Sequence, residues 1–196
     1  TGASVTVSPT ATTTYTVEYT ANGCTGTNTV TVTVEPTPQP TVTVDSVCVG
    51  SNGTLFVNNV SAGGTYLWNT GATTASLTAA PTSTTNYSVV FTSANGCVSP
   101  SVSGTIVVKP YPVISSSNDT ICIGSSTTLA TQVDLSGGSY AWSPIAASSS
   151  SITVAPTSTT TYTVIYNLLG CQDTTQMTVL VNPIPVASTT NGVICF

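Results

Sequence analysis

The chain has 196 residues, of which only 4% are charged, and one Lys against six acidic residues gives a formal net charge of −5 with no His. So few basic groups exclude a nucleic-acid partner, because phosphate contacts require several Lys or Arg side chains. No apolar run reaches the length of a membrane-spanning helix, so we expect no membrane insertion in this segment.

One stretch occurs three times along the chain. It reads PTATTTYTVEYTANGC at 9–24, PTSTTNYSVVFTSANGC at 81–97 and PTSTTTYTVIYNLLGC at 156–171. Such self-similarity is typical of a repeat array. Within each copy, aromatic and apolar residues alternate with small polar ones, which is the period of a half-buried strand. Each copy therefore predicts a strand that begins after Pro and ends at a Gly-containing turn.

The spacing of cysteines indicates the length of a repeat. Cys48, Cys122 and Cys195 follow one another at intervals of about 73–74 residues, which we take as the repeat period. We interpret the chain as a segment of a longer secreted polypeptide, in which the first repeat lacks its start. The predicted segments are the C-terminal part of a repeat at 1–36, complete repeats at 37–110 and 111–184, and the start of the next repeat at 185–196.

A complete repeat predicts several short strands separated by turns. In the second repeat these are a first strand at Thr41–Val47, a second at Thr54–Val57, a third around Trp68 and a short one near Leu77, before the repeated stretch. The third repeat follows the same order, and no stretch shows helical spacing. This pattern predicts an all-β fold of tandem immunoglobulin-like sandwiches. The predicted core aromatics are Trp68, Trp142, Tyr15, Tyr87 and Tyr162.

Few residues suit a chemical or ligand-binding role. Without His and without a close carboxylate pair, no acid/base couple or activated nucleophile can be assembled, so we predict no enzyme activity and no cofactor. Glu35, Lys109 and Asn182 occupy matching positions in the proline-rich joints, so an acidic calcium site between repeats is not predicted. We expect Tyr66 with Trp68, and the equivalent pair in the third repeat, to pack in the core. The alternative is that each pair forms a sugar-binding platform.

The pattern C-x-G, Y-x-W, P-T-x-T-T-x-Y-x-V, G-C and P-x-P resembles the tandem Ig-like and PKD-like repeats of giant cell-surface adhesins of gliding Bacteroidota. Trp68 and Trp142 lack the glycine-and-aspartate motif that usually follows in PKD repeats, which favours the Ig-like relatives. The resemblance covers nearly the whole chain. It implies an extracellular adhesin or filament at the cell surface, secreted by the type IX route.

The six cysteines fall into two classes, and their pairing stays open. Cys48, Cys122 and Cys195 precede the second strand, whereas Cys24, Cys97 and Cys171 lie at the turn before the last strand. No C-x-x-C pair is present, so we predict disulfides and no metal site. Pairing within a repeat joins Cys48 to Cys97 and Cys122 to Cys171. A bond across the junction joins Cys48 to Cys171, and a bond across the linker joins Cys24 to Cys48.

Three positions match the Asp, Ser or Thr, apolar pattern that serves as an O-glycan acceptor in the resembled family. The candidate O-glycosylation residues are Ser46, Thr120 and Thr174. The alternative is that each preceding Asp closes a turn at the end of a strand.

Repetition without reactive groups predicts a structural role. We expect a stalk or shaft segment of a long extracellular adhesin or filament, whose partners are the neighbouring repeats of the same chain. Exposed strand edges also favour homotypic assembly into a fibre. The alternative is an Ig-like module that binds surface polysaccharide through loop residues such as Asn69, Tyr111 and Leu168-Leu169.

Overall fold

The computed structural model describes residues 4–189 and 192, and every secondary-structure element among them is a β-strand. The described part of the chain divides into two compact units. One unit contains residues from Thr1–Asp45, Gly53–Ala79 and Thr85–Ile106, and the other contains residues from Ser46–Asn52, Ala80–Thr84 and Val107–Phe196. The second unit therefore combines short segments of the predicted second repeat with the whole of the predicted third repeat.

The first repeat contributes a single hairpin. Strands β1 (Thr13–Ala21) and β2 (Cys24–Val32) pair antiparallel from Thr13 with Val32 to Ala21 with Cys24. The turn between them has Asn22 at φ 52° and Gly23 at φ 79°, the left-handed region that Asn and Gly tolerate best. Strand β1 lies within the first copy of the repeated stretch, where the sequence predicts a strand.

The second repeat forms two sheets, as expected for a sandwich. Its strands are β3 (Thr41–Val42), β4 (Asp45–Cys48), β5 (Gly53–Asn58), β6 (Thr65–Trp68), β7 (Ser76–Ala79), β8 (Thr85–Thr92) and β9 (Val102–Lys109). One sheet has the order β3-β5-β7 and the other the order β4-β9-β8-β6. The buried apolar residues are Leu55, Val57, Trp68, Leu77, Val89, Phe91 and Ile106.

The third repeat has a similar arrangement, with eight strands instead of seven. Its strands are β10 (Ile114–Ser115), β11 (Asp119–Cys122), β12 (Thr127–Ala130), β13 (Gln132–Val133), β14 (Ser139–Ser143), β15 (Ser151–Val154), β16 (Thr160–Leu168) and β17 (Cys171–Asn182). The larger sheet has the order β11-β17-β16-β14, and the shorter pairs are β10-β13 and β12-β15. Strand β11 runs parallel to β17, whereas β16 and β17 form a long antiparallel hairpin. The chain is thus an all-β array of immunoglobulin-like sandwiches.

The first strand of each complete repeat differs from the prediction. Instead of one strand over Thr41–Val47, the chain forms β3 in one sheet, leaves the ladder at Val44, and forms β4 in the other sheet. The third repeat makes the same switch between β10 and β11. Periodicity cannot reveal such a switch, because both halves are extended and their partners lie far along the chain.

The predicted core aromatics are not equally buried. Trp68, Trp142 and Tyr162 are buried, whereas Tyr15 and Tyr87 are only half-buried. Tyr162 pairs in register with Met177, but the equivalent partner of Tyr87 is Gly104. A Cβ on Gly104 would come within 2.3 Å of Cγ1 of Val42, so this glycine makes room for the first strand. Tyr87 therefore lacks the bulky neighbour that covers its equivalent.

Candidate functional site: the interrepeat disulfide

The second unit contains a disulfide between Cys48 and Cys171, whose Cα atoms lie 5.7 Å apart. The two residues are 123 positions apart in sequence, so the bond joins the second repeat to the third. Of the three pairings left open by the sequence, this is the bond across the junction. Pairing of Cys48 with Cys97 or with Cys24, and of Cys122 with Cys171, is wrong, because Cys48 and Cys171 are bonded to each other.

Cys48 is positioned by the turn that follows β4. The backbone N–H of Ser51 donates to the carbonyl oxygen of Cys48 at 2.9 Å, and Gly50 adopts a φ of 84° that closes the turn. The N–H of Val49 donates to the carbonyl oxygen of Lys109 at 2.9 Å. These bonds place Cys48 beside the joint at the end of its own repeat.

Cys171 is positioned by the hairpin turn between β16 and β17. Leu169 and Gly170 both have positive φ, at 56° and 91°, and the N–H of Gly170 donates to Oδ1 of Asn167 at 3.0 Å. Cys171 is buried at the start of β17. A Cβ on Gly170 would lie 3.9 Å from Nζ of Lys109, so the joint lysine reaches this turn. The disulfide and the lysine thus contact the same hairpin turn.

The first unit contains an equivalent contact without a disulfide. Glu35 occupies the joint position that Lys109 occupies in the second unit. Its carboxylate accepts a hydrogen bond from Nδ2 of Asn95, and its Oε2 lies 3.8 Å from Sγ of Cys97. The matching positions of Glu35 and Lys109 in the two joints are visible in the sequence. Their contact with the hairpin turn of the following repeat is visible only in the fold, because the residues in contact lie far apart in sequence.

The remaining candidate cysteines carry free thiols where they are described. Cys24 and Cys122 are exposed, and Cys97 is half-buried. Cys195 lies outside the described residues. Cys122 ends β11 as Cys48 ends β4, whereas Cys97 lies in the hairpin region of its repeat as Cys171 does.

The acidic residues before the candidate glycosylation positions hold the first strands in place. A carboxylate oxygen of Asp45 accepts from the N–H of Thr54 at 2.7 Å, and one of Asp173 accepts from the N–H of Ile114 at 2.9 Å. Asp119 accepts from the hydroxyl of Thr127 and from the N–H of Thr120, and these bonds lower its pKa below the ordinary value. The neighbouring hydroxyl-bearing residues Ser46, Thr120 and Thr174 are exposed.

Trp68 and Trp142 lie in the sandwich cores. Nε1 of Trp68 donates to the carbonyl oxygen of Thr74 at 2.9 Å, and Nε1 of Trp142 donates to that of Ser149 at 2.8 Å. Their buried N–H groups are thus satisfied, as an interior tryptophan requires. Among the suggested loop residues, Asn69, Tyr111 and Leu169 are exposed and Leu168 is buried.

The described part of the chain offers neither a metal cluster nor a membrane-spanning helix. Within residues 4–189 and 192, no group of three or more His, Cys, Asp and Glu side chains is placed to hold a metal ion. The same residues contain no helix long and apolar enough to cross a membrane.

No family model and no curated protein matches this chain. Among solved structures, it is similar to extracellular domains 3-5 of Drosophila OTK, with 10% identity, a TM-score of 0.49 and coverage of 87% of this chain and 71% of that one. An I-band fragment of titin has 11% identity and a TM-score of 0.42, with coverage of 76% and 67%. Murine CEACAM1b has 15% identity and a TM-score of 0.40, with coverage of 74% and 100%. The strand order described above defines the fold of this chain.

Proposed function

We propose that the chain is a structural segment of a long extracellular adhesin or filament, in which Ig-like repeats form the shaft. The observation that carries this proposal is the disulfide between Cys48 and Cys171, because it joins two successive repeats. A bond across a junction limits the separation of neighbouring repeats under tension. A disulfide also fits a secreted protein, since the cytosol keeps most thiols reduced.

The proposed repeat boundaries are those of the sequence pattern, with complete repeats at 37–110 and 111–184 and partial ones at 1–36 and 185–196. The hairpin of β1 and β2 supports a partial first repeat. Its apolar residues Val17 and Tyr19 are exposed, whereas the equivalent Val164 and Tyr166 are buried under the other strands of the third repeat.

The surface also suits a hydrated shaft that associates with copies of itself. Pairs of threonine hydroxyls bond to each other across exposed ladders, as in Thr54 with Thr78 at 3.0 Å. Strands β6 and β14 lie at sheet edges, and an edge strand can offer backbone groups for lateral pairing. O-glycans on the exposed hydroxyls of Ser46, Thr120 and Thr174 would add to the hydration.

Electron microscopy of the native material tests this proposal, with a gold-labelled antibody raised against residues 40–184. We expect label at regular intervals along thin fibres leaving the cell. Label in compact particles, or only at the ends of unrelated fibres, would overturn the shaft. Antibody absorbed beforehand with the 196-residue chain is the matched control.

A carbohydrate- or surface-binding module is the second candidate. It is favoured by two exposed apolar loop residues, Tyr111 at 45% and Leu169 at 64% exposure. A glycan-array screen of the 196-residue chain tests it, with Tyr111→Ala and Leu169→Ala as matched variants. Binding that both variants weaken would support the module, whereas a shaft segment is expected to bind no glycan.

A further inference from the structure

The two classes of cysteine lie at opposite ends of a repeat. Cys122 is in register with Asn182, the last residue of β17, whereas Cys171 is the first residue of the same strand. Strand β17 has 12 residues, so its ends lie about 35 Å apart at roughly 3.3 Å per residue. A disulfide requires Cα atoms within about 7 Å of each other. Cys122 therefore has no partner within its own repeat.

Two independent observations indicate which residues the free cysteines pair with in disulfides. First, Cys122 and Cys97 occupy the positions of Cys48 and Cys171, which are bonded to each other in this same chain. Second, the hairpin turn at Cys97 already contacts the joint of the preceding repeat. The Glu35 carboxylate accepts from Asn95 and lies 3.8 Å from Sγ of Cys97. Cys97 thus stands beside a joint, as Cys171 stands beside Lys109.

We propose that Cys122 and Cys97 form disulfides with cysteines of the adjoining Ig-like repeats, so that every repeat is covalently bonded to both neighbours. Cys122 bonds to the hairpin-turn cysteine of the repeat that follows its own, and Cys97 bonds to the first-turn cysteine of the repeat that precedes its own. This inference rests on the proposed array of repeats and adds the bonding pattern that makes it resist tension.

Each bond forms by thiol–disulfide exchange with a disulfide oxidant. One cysteine thiolate attacks the oxidant and displaces one of its sulfurs as a thiolate, giving a mixed disulfide. The second cysteine thiolate then displaces the other sulfur. Two cysteine thiols thereby lose two protons and two electrons, and the oxidant is reduced to two thiols.

Complete bonding would leave little extensible chain. From Cys171 a covalent path continues along the backbone to Cys195, the next cysteine of the other class, and an equivalent path joins Cys97 to Cys122. Each such path crosses one junction by a disulfide and the next by the backbone. For every two repeats, only about 25 residues of each path are backbone that can be stretched. Fully extended, these residues span some 85 Å at roughly 3.5 Å per residue. Interlaced bonds produce two such paths along the shaft.

Disulfide mapping of the native protein tests the proposal. The protein is isolated without reductant, its free thiols are blocked with N-ethylmaleimide, and it is digested with pepsin at acid pH, where exchange is slow. Trypsin is unsuitable because Lys109, the single basic residue, precedes Pro110. We expect Cys122 in a cross-linked peptide whose partner comes from a hairpin turn with a Gly-Cys sequence, and no maleimide on Cys97. Maleimide on Cys97 or Cys122, or a bond between these two, would overturn the proposal.

A substitution gives a second readout. In the native protein, Cys122→Ser is expected to create one new maleimide-reactive cysteine, in the hairpin turn of the following repeat. Cys48→Ser is the matched control, since it frees Cys171. If Cys122→Ser frees no cysteine while the control frees Cys171, the proposal is wrong. Fibre labelling is a separate readout, so loss of the shaft interpretation can be distinguished from loss of the bonding pattern.

Discussion

The hairpins β1–β2 and β16–β17 have the same motif and the same register but different surroundings. Thr13 pairs with Val32 as Thr160 pairs with Val179, and both ladders continue to the hairpin turn. Yet Tyr19 is 71% exposed, whereas its equivalent Tyr166 is 1% exposed. The motif therefore specifies the hairpin. Whether the side chains of the hairpin are buried depends on the rest of the repeat.

In the third repeat, strand β14 and the loop that precedes it contact Tyr166 from several directions. Its hydroxyl donates to the carbonyl oxygen of Leu135 at 2.7 Å and accepts from the N–H of Gly138 at 2.7 Å. Its ring packs against Tyr140 with centroids 4.8 Å apart. Matched substitutions in the two hairpins therefore measure what this environment contributes.

The largest difference is expected at the cysteines. Cys171→Ser removes a disulfide between residues 123 positions apart, which should lower the free energy of unfolding by about 5 kcal/mol in the chain-entropy model. Cys24→Ser, at the same position of the exposed hairpin, should change it by less than about 0.5 kcal/mol. Denaturant titration without reductant measures both. Equal effects would mean that the disulfide does not constrain the unfolded chain.

Truncation of the paired tyrosines should give the next largest difference. Tyr166→Ala is expected to cost roughly 3–5 kcal/mol, because it leaves a cavity and removes the bonds to Leu135 and Gly138. Tyr19→Ala should cost well under about 1 kcal/mol, because the side chain is exposed. The same denaturant titration decides, and a large loss in Tyr19→Ala would indicate that the first hairpin is covered.

Substitution of Gly138, which lies against the ring of Tyr166, measures how closely the third repeat is packed. A Cβ on Gly138 would come within 2.4 Å of the carbonyl oxygen of Asn167 and 2.5 Å of Cζ of Tyr166. We therefore expect Gly138→Ala to cost roughly 1–3 kcal/mol in thermal or denaturant unfolding. Gly26→Ala in β2 is the control, since a Cβ there meets nothing within 4 Å. Similar losses in both variants would refute the packing argument.

The smallest effect on stability is expected from a change in pH. It concerns Asp119 in strand β11, a strand that has no counterpart beside the first hairpin in the described part of the chain. Hydrogen bonds from the hydroxyl of Thr127 and the N–H of Thr120 lower the pKa of Asp119 from its ordinary value of 3.8. A depressed pKa in the folded state adds stability above the unfolded value, and this stability is lost as pH falls through the lower folded value. Unfolding measured from about pH 5 downwards should show the loss. Asp119→Asn and Thr127→Ala should each reduce this pH dependence, and an unchanged profile would contradict the assignment.

The strands and hairpins were predictable because they depend on contacts close in sequence. The alternation in PTSTTTYTVIY and the Gly before Cys171 are enough to predict β16 and the turn that follows it. The division of the first strand between two sheets was not predictable, since Val44 lies in an extended stretch like its neighbours. Half-burial of Tyr87 was also missed, because it depends on Gly104 and on the approach of Val42 to that glycine.

The sequence by itself determined the spacing of the repeated motifs, the all-β class and the two classes of cysteine, because each follows from local periodicity and spacing. Only the tertiary structure decided which cysteines bond. The parallel pairing of β11 with β17 places the first turn of the third repeat at the end of its last strand, far from its own hairpin turn. Cys48 holds the equivalent position beside Lys109, and there it meets Cys171 of the next repeat. Residues 123 positions apart leave no local signal of their contact, so their pairing required the fold.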